Sequence, residues 1–181
     1  MHYSNLRVDG RCAVKNYSAH EVIGMLSELM HKLKEPQRSS VSYLENQLRQ
    51  AHLHEQLQLF FSEDRVLVGF VTWALLSSQT EARILRSGNP ELHPSEWNEG
   101  DSLWLIDTVA LPGRLKYISR VLHDETFADF NRVRFVRLRK GRVSVHEVFR
   151  RRPTSIIQDL PTRLARTCRC GLPVSDCLMN R

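Results

Sequence analysis

The apolar run SLWLIDTVAL, Ser102 to Leu111, holds one carboxylate, Asp107, where a buried strand would carry only apolar side chains. An ionised carboxylate in such a place costs several kcal/mol unless it is partnered, so Asp107 is either paired with an arginine for structural reasons or placed for chemistry. A second feature is cationic. Between Phe130 and Arg152 stand Arg132, Arg134, Arg137, Arg139, Lys140, Arg142, Arg150, Arg151 and Arg152 against one acid, Glu147. Such a surface suits an acidic partner, whether nucleic acid, anionic lipid or acidic protein, and is equally the composition of a solvated sheet face. The third is CRCGLPVSDC, Cys168 to Cys177, which has the spacing of half a zinc site. With Cys12 remote, three cysteines make a weak ligand set, and no metal is expected.

The elements that must position these groups follow from apolar spacing. HEVIGMLSELMHKL sets Val22, Ile23, Leu26, Leu29, Met30 and Leu33 at helical spacing and ends before Pro36, with Gly24, Ser27 and His31 on the other face. Val41, Leu44, Leu48 and Ala51 mark a second helix, with Ser40 or Ser42 as its cap. QLQLFFSEDRVLVGFVTWALL reads as a hairpin turning at SEDR, and SQTEARILRSG as a short helix stopped by Gly88 and Pro90. After a loop, SLWLIDTVAL is a strand covered on both faces. GRLKYISRVLHDETFADF is helical. RVRFVRLRKGRVSVHEVF is two strands around Lys140-Gly141, its arginines alternating to one side. Beyond about Arg152 the pattern fades.

The element order predicts an α/β (α+β) chain with one central, mostly antiparallel sheet and helices on its faces, the order of an acetyltransferase-like fold. We read residues 1–19 as an extension, 20–152 as the domain and 153–181 as a Cys-containing appendage. The 181 residues hold one core, and no apolar run approaches the ~20 residues of a membrane span. MHYSNLRVDGR lacks the apolar stretch of an export signal, so a cytoplasmic protein without stable membrane insertion is expected.

VGFVTWALLSS, EWNEGDSLWLIDTVALPG and FNRVRFVRLRKGRVSVHEVFRRR together resemble the toxin-activating lysine acyltransferases of the repeats-in-toxin (RTX) systems, the hemolysin-activating type. The similarity covers about residues 21 to 152, and Trp-x-x-Gly-Asp-x-x-Trp-x-Ile-Asp, Trp97 to Asp107, is its most specific element. The resemblance implies a GNAT-like cytoplasmic enzyme that moves a fatty acyl chain from acyl carrier protein to an internal lysine of an RTX protoxin. It implies no bound cofactor, acyl carrier protein serving as co-substrate, and it leaves room for a homodimer. In that family an aspartate on this strand and a histidine near the first helix act together. Asp107 matches the aspartate. Ungapped continuation from the first helix puts Pro36 at the histidine position; a following loop longer by the five positions from His31 to Pro36 puts His31 there.

That chemistry has a clear need for both groups. A lysine amine, reference pKa ~10.4, must lose its proton before it attacks a thioester. A histidine suits the proton's removal, and a carboxylate would fix its tautomer or grip the incoming ammonium. His52 and His54, at a helix-to-strand junction, are alternative bases, while His93, His123 and His146 read as structural. Ser27 bonds the His31 ring or faces solvent. Trp73, Trp97 and Trp104 read as core, and Trp73 also as the border of an acyl channel. LPGRLKYISR, with one glycine, lacks the Gly-rich turn that cradles coenzyme A, so the basic strands (Arg132, Arg134, Arg137, Arg139, Lys140, Arg142) become a dock for an acidic carrier protein. Two other readings stand beside this one: a catalytically impaired member that binds acyl carrier protein or toxin, and a nucleic-acid module. The second lacks interleaved exposed aromatics, Phe135 and Phe149 being its only candidates, and no nucleic-acid partner is expected.

Overall fold

The computed structural model describes residues 17–33, 40–139 and 142–149, and the backbone of 152–160. The Pro36 loop, the Lys140-Gly141 turn, Cys12 and the CRCGLPVSDC stretch lie outside the described residues. The chain is mixed α/β. Six strands, β1 (Leu57–Phe61), β2 (Leu67–Leu76), β3 (Ser102–Ala110), β4 (Arg132–Arg139), β5 (Arg142–Phe149) and β6 (Arg152–Leu160), hydrogen-bond in consecutive order. β1·β2, β4·β5 and β5·β6 are antiparallel, whereas β3 and β4 run parallel. A parallel pair cannot be joined by a tight turn, and helical residues fill the connection. Among the described residues no helix is long and apolar enough to cross a membrane.

The chain divides into two compact units, and β2 and β3 each contribute to both. The first unit comprises residues up to Trp73 together with Asp107–Phe130. Its leading helix α1 (Ala19–Lys32) starts at a capping box in which Ser18 and Glu21 satisfy each other's backbone donors, and it buries Val22, Leu26, Leu29 and Met30. Gly24 and His31 stay exposed on the other face, as the spacing predicts. The second helical stretch is α2 (Val41–Tyr43), capped by Ser40, then a π-helical turn Leu44–Leu48, then α3 (Arg49–Leu53).

Here the expected buried stripe is corrected. Val41 is 75% exposed, and the buried positions are Tyr43, Gln47, Leu48 and Ala51. Tyr43, Gln47 and Ala51 are spaced by four, so the inward face is turned away from Val41, and the π-turn between Tyr43 and Arg49 widens one turn of it. On β2, Gly69 lies beneath helix α5 (Leu115–Val121), where Ile118 comes so close that a methyl at 69 would sit 2.6 Å from its Cδ1. A second π-turn, Leu122–Thr126, follows, and its Thr126 hydroxyl donates to buried Gln58 on β1 at 2.7 Å.

The second unit comprises Ala74–Ile106 and the chain from Asn131 onward. Helix α4 (Ser78–Ser87) begins at Ser77, whose hydroxyl accepts from Thr80 N–H, and stops at Gly88 in the left-handed conformation, as expected. The segment Trp97–Gly100 is laid against the end of β2: Leu75 N–H donates to Trp97 O, and the N–H groups of Glu99 and Gly100 donate to Leu75 O. Trp97 and Trp104 are fully buried. A Cβ at Gly100 would collide with the Leu76 carbonyl oxygen, which accounts for the glycine of the Trp-x-x-Gly-Asp text.

Two expectations about the last strands change. Arg132 and Arg134 share one face of β4 and Arg137 and Arg139 the other, because the two pairs differ in parity along a strand of period two. And β6 lies in the stretch where the pattern fades; register shifts at Val145/His146 and Glu147/Phe149 accompany its pairing and break the period that reveals a strand.

Candidate active site

Asp107 sits on β3, in the first unit, and is 6% exposed. Its carboxylate Oδ2 accepts the phenolic O–H of Tyr43 at 2.9 Å, a buried contact between residues 64 positions apart. Its backbone N–H donates to Thr72 Oγ1 on β2 at 3.1 Å. The carboxylate thus has a neutral donor and a fixed backbone. Tyr43 is itself held: it is 5% exposed, and its N–H donates to the capping Ser40 Oγ at 3.2 Å. A hydrogen bond to an ionised acceptor in a water-poor setting is stronger than a neutral one, which offsets part of the cost of burying the charge.

His31 lies in the last turn of α1 with its ring exposed, and it shares no hydrogen bond with Asp107. The two residues expected to act together therefore belong to one unit but are not joined. Ser27, one turn before, is half-buried. Of the alternative bases, His54 is exposed, and His52 is half-buried with its Nδ1 enclosed and without a hydrogen-bond partner among the described residues. His93 caps the short 3-10 turn Pro94–Glu96, His123 contacts Asp124, and His146 stacks on Phe135 at 5.2 Å while bonding Ser144, so these three serve local structure. Trp73 is half-buried and meets Phe127 edge-on at 5.3 Å, with Phe130 continuing the row at 6.2 Å.

The cationic strands split into two environments in the second unit. Arg134, 13% exposed, pairs with Glu81 and with Glu147, the latter at 2.6 Å. Glu81 also accepts from Ser102 Oγ at 2.8 Å and Trp104 Nε1 at 3.1 Å. Arg134 is thus committed to an internal network and is removed from the expected dock. Arg137, Arg139 and Arg142 are exposed and share one face of the hairpin with Ser144 and His146. Among the described residues no three His, Cys, Asp or Glu side chains gather as a metal site.

Tyr43 and Thr72 were missed from the sequence. Tyr43 carries the weak signal of a tyrosine beside a helical apolar stripe, and Thr72 the signal of a hydroxyl inside an apolar strand; neither pattern names its partner.

A mixed α/β chain whose central strand carries a buried, hydrogen-bonded carboxylate defines the class. Residues 15–150 match the family model HlyC, the RTX toxin acyltransferase family, and the chain belongs to that family. Over 89 residues it is 30% identical to the RTX-II toxin-activating lysine-acyltransferase ApxIIC of Actinobacillus pleuropneumoniae, an alignment covering 49% of this chain and 54% of that protein. The match spans about half the length of this curated relative.

Proposed function

We propose that this protein transfers a fatty acyl chain from acyl carrier protein to an internal lysine of an RTX-type protoxin, in the cytoplasm, on an acetyltransferase-like (GNAT-like) fold. The observation that carries the reading is Asp107: the one family carboxylate on an apolar strand, buried, hydrogen-bonded and fixed in backbone position. The fold part rests on the consecutive strand order with its parallel pair β3·β4. The acyl donor rests on the resemblance, and on the turn before α5, whose one glycine, Gly113, makes no Gly-rich cradle for free coenzyme A.

In the reaction the lysine amine gives up a proton, attacks the thioester carbonyl, and forms a C–N bond. The C–S bond breaks, and the thiol of the carrier's prosthetic arm leaves with a proton. Asp107 holds the incoming ammonium or steadies the cation of the base. His31 is the base that the resemblance assigns, and it is exposed in the last turn of α1.

The test is co-expression with an acyl-charged carrier protein and a protoxin, read as a fatty-acyl mass increase on a protoxin lysine. Asp107→Asn should lower the rate by about a hundredfold or more, and His31→Ala should lower it by a comparable factor. A wild type that leaves every lysine unmodified sinks the reading; full activity of His31→Ala removes that residue alone. A second reading is a catalytically impaired member that binds the carrier protein or the toxin. It is the outcome if binding is measured without transfer.

A further inference from the structure

We propose that Tyr43 is the positioning residue of the site: its hydroxyl sets the orientation in which the Asp107 carboxylate meets the reacting groups. The inference rests on the acyl-transfer reading above and deepens it.

A carboxylate on a strand can rotate about its last torsion. The Tyr43 hydroxyl, 2.9 Å from Oδ2, restrains that rotation. A donor fixes a torsion only if it is fixed itself, and Tyr43 is. Its ring is buried, its backbone N–H is tied to Ser40 Oγ at 3.2 Å, and it stands at the step from α2 into the π-turn Leu44–Leu48. π-turns re-aim the side chains around them and occur often at functional sites. This one follows directly on Tyr43, which is buried, whereas Val41, two residues earlier and so on the opposite side of the helix, is exposed. From the strand side, Thr72 Oγ1 accepts the Asp107 N–H at 3.1 Å, so backbone and side chain of the acid are held from two different elements. Support of this kind around a reacting group limits the misplacement that otherwise slows an enzyme.

A purely structural tyrosine would satisfy a buried acid and do no more. The two roles separate in Tyr43→Phe, which keeps the ring and removes only the hydroxyl. Two readouts are taken on the full chain. The first is the NMR resonance of the Asp107 side-chain carboxyl carbon, assigned by its disappearance in Asp107→Asn. It should move in Tyr43→Phe whether or not the protein is an enzyme, and an unmoved resonance overturns the proposal.

The second is steady-state acyl transfer. kcat should fall by about ten- to a hundredfold with KM for carrier and protoxin unchanged. In an Asp107→Asn background the same substitution should cost nothing further. Unchanged kcat in an active protein leaves Tyr43 structural and overturns the proposal. If the resonance moves but wild type transfers no acyl chain, the acyl-transfer reading fails and the positioning role falls with it. Should Tyr43→Phe fold poorly, para-aminophenylalanine at position 43 retains a donor: recovery of most of the rate supports the proposal, and a rate no better than that of Asp107→Asn overturns it.

Discussion

Arg134 and Asp107 show two ways in which a charge enters the interior. Asp107 is met by the hydroxyl of Tyr43. Arg134 is neutralised from both sides by Glu81 and Glu147. Removing this guanidinium leaves Glu81 to its Ser102 and Trp104 donors and Glu147 to Arg132 at 3.7 Å, and breaking a buried pair costs about 3–5 kcal/mol. With side chains 11–16% exposed, solvent relieves only part of that cost. Arg134→Ala should therefore lower the unfolding free energy by about 3 kcal/mol in urea titration, while Arg137→Ala, on an exposed side chain, should change it by less than about 0.5 kcal/mol. Equal effects would mean that the Glu81–Arg134–Glu147 cluster is solvated. No sequence pattern distinguishes these arginines beyond their parity on β4, and parity acquires meaning only once one face of the strand is known to be covered.

At the scale of elements, the family text from Trp97 to Asp107 divides into parts with different duties. Asp107 at its end is the candidate site. Its beginning is architecture: Trp97 is buried, its carbonyl accepts from Leu75, and Gly100 allows the chain to press on the Leu76 carbonyl. The obstacle to a side chain at position 100 is backbone, which cannot rotate away. Gly100→Ala should destabilise the fold by about 1–3 kcal/mol, seen as a lower Tm, with unchanged kcat in whatever folds at low temperature. A Tm equal to wild type would show that the loop yields. The helices were legible because capping signals and apolar spacing are local: Ser40, one of the two expected caps, and Gly88, the expected stop, both terminate helices in the structure. The π-turns were not. They cost the helix a regular hydrogen-bond pattern, and the tertiary contacts that compensate, such as Tyr43 with Asp107, are far away in sequence.

For the whole molecule, the formal charge of +6 is less informative than its placement. Arg137, Arg139 and Arg142 remain on an exposed hairpin face once Arg134 is subtracted. If that face meets an acidic carrier protein, Arg137→Glu with Arg139→Glu should raise KM for the carrier by about tenfold at low salt with kcat unchanged, and the penalty should shrink as ionic strength rises. A KM that ignores the reversal assigns the carrier to another surface.

The sequence by itself determined the order of elements as far as the last hairpin, the burial of the strand around Asp107 and the family, because these depend on spacing between near neighbours and on one contiguous text. Only the tertiary structure decided that a tyrosine hydroxyl meets the carboxylate, that Arg134 belongs to the interior and that β6 joins the sheet. Each of those is a contact between elements joined by folding, and a pattern of period two or 3.6 states which way a side chain points without saying what waits there.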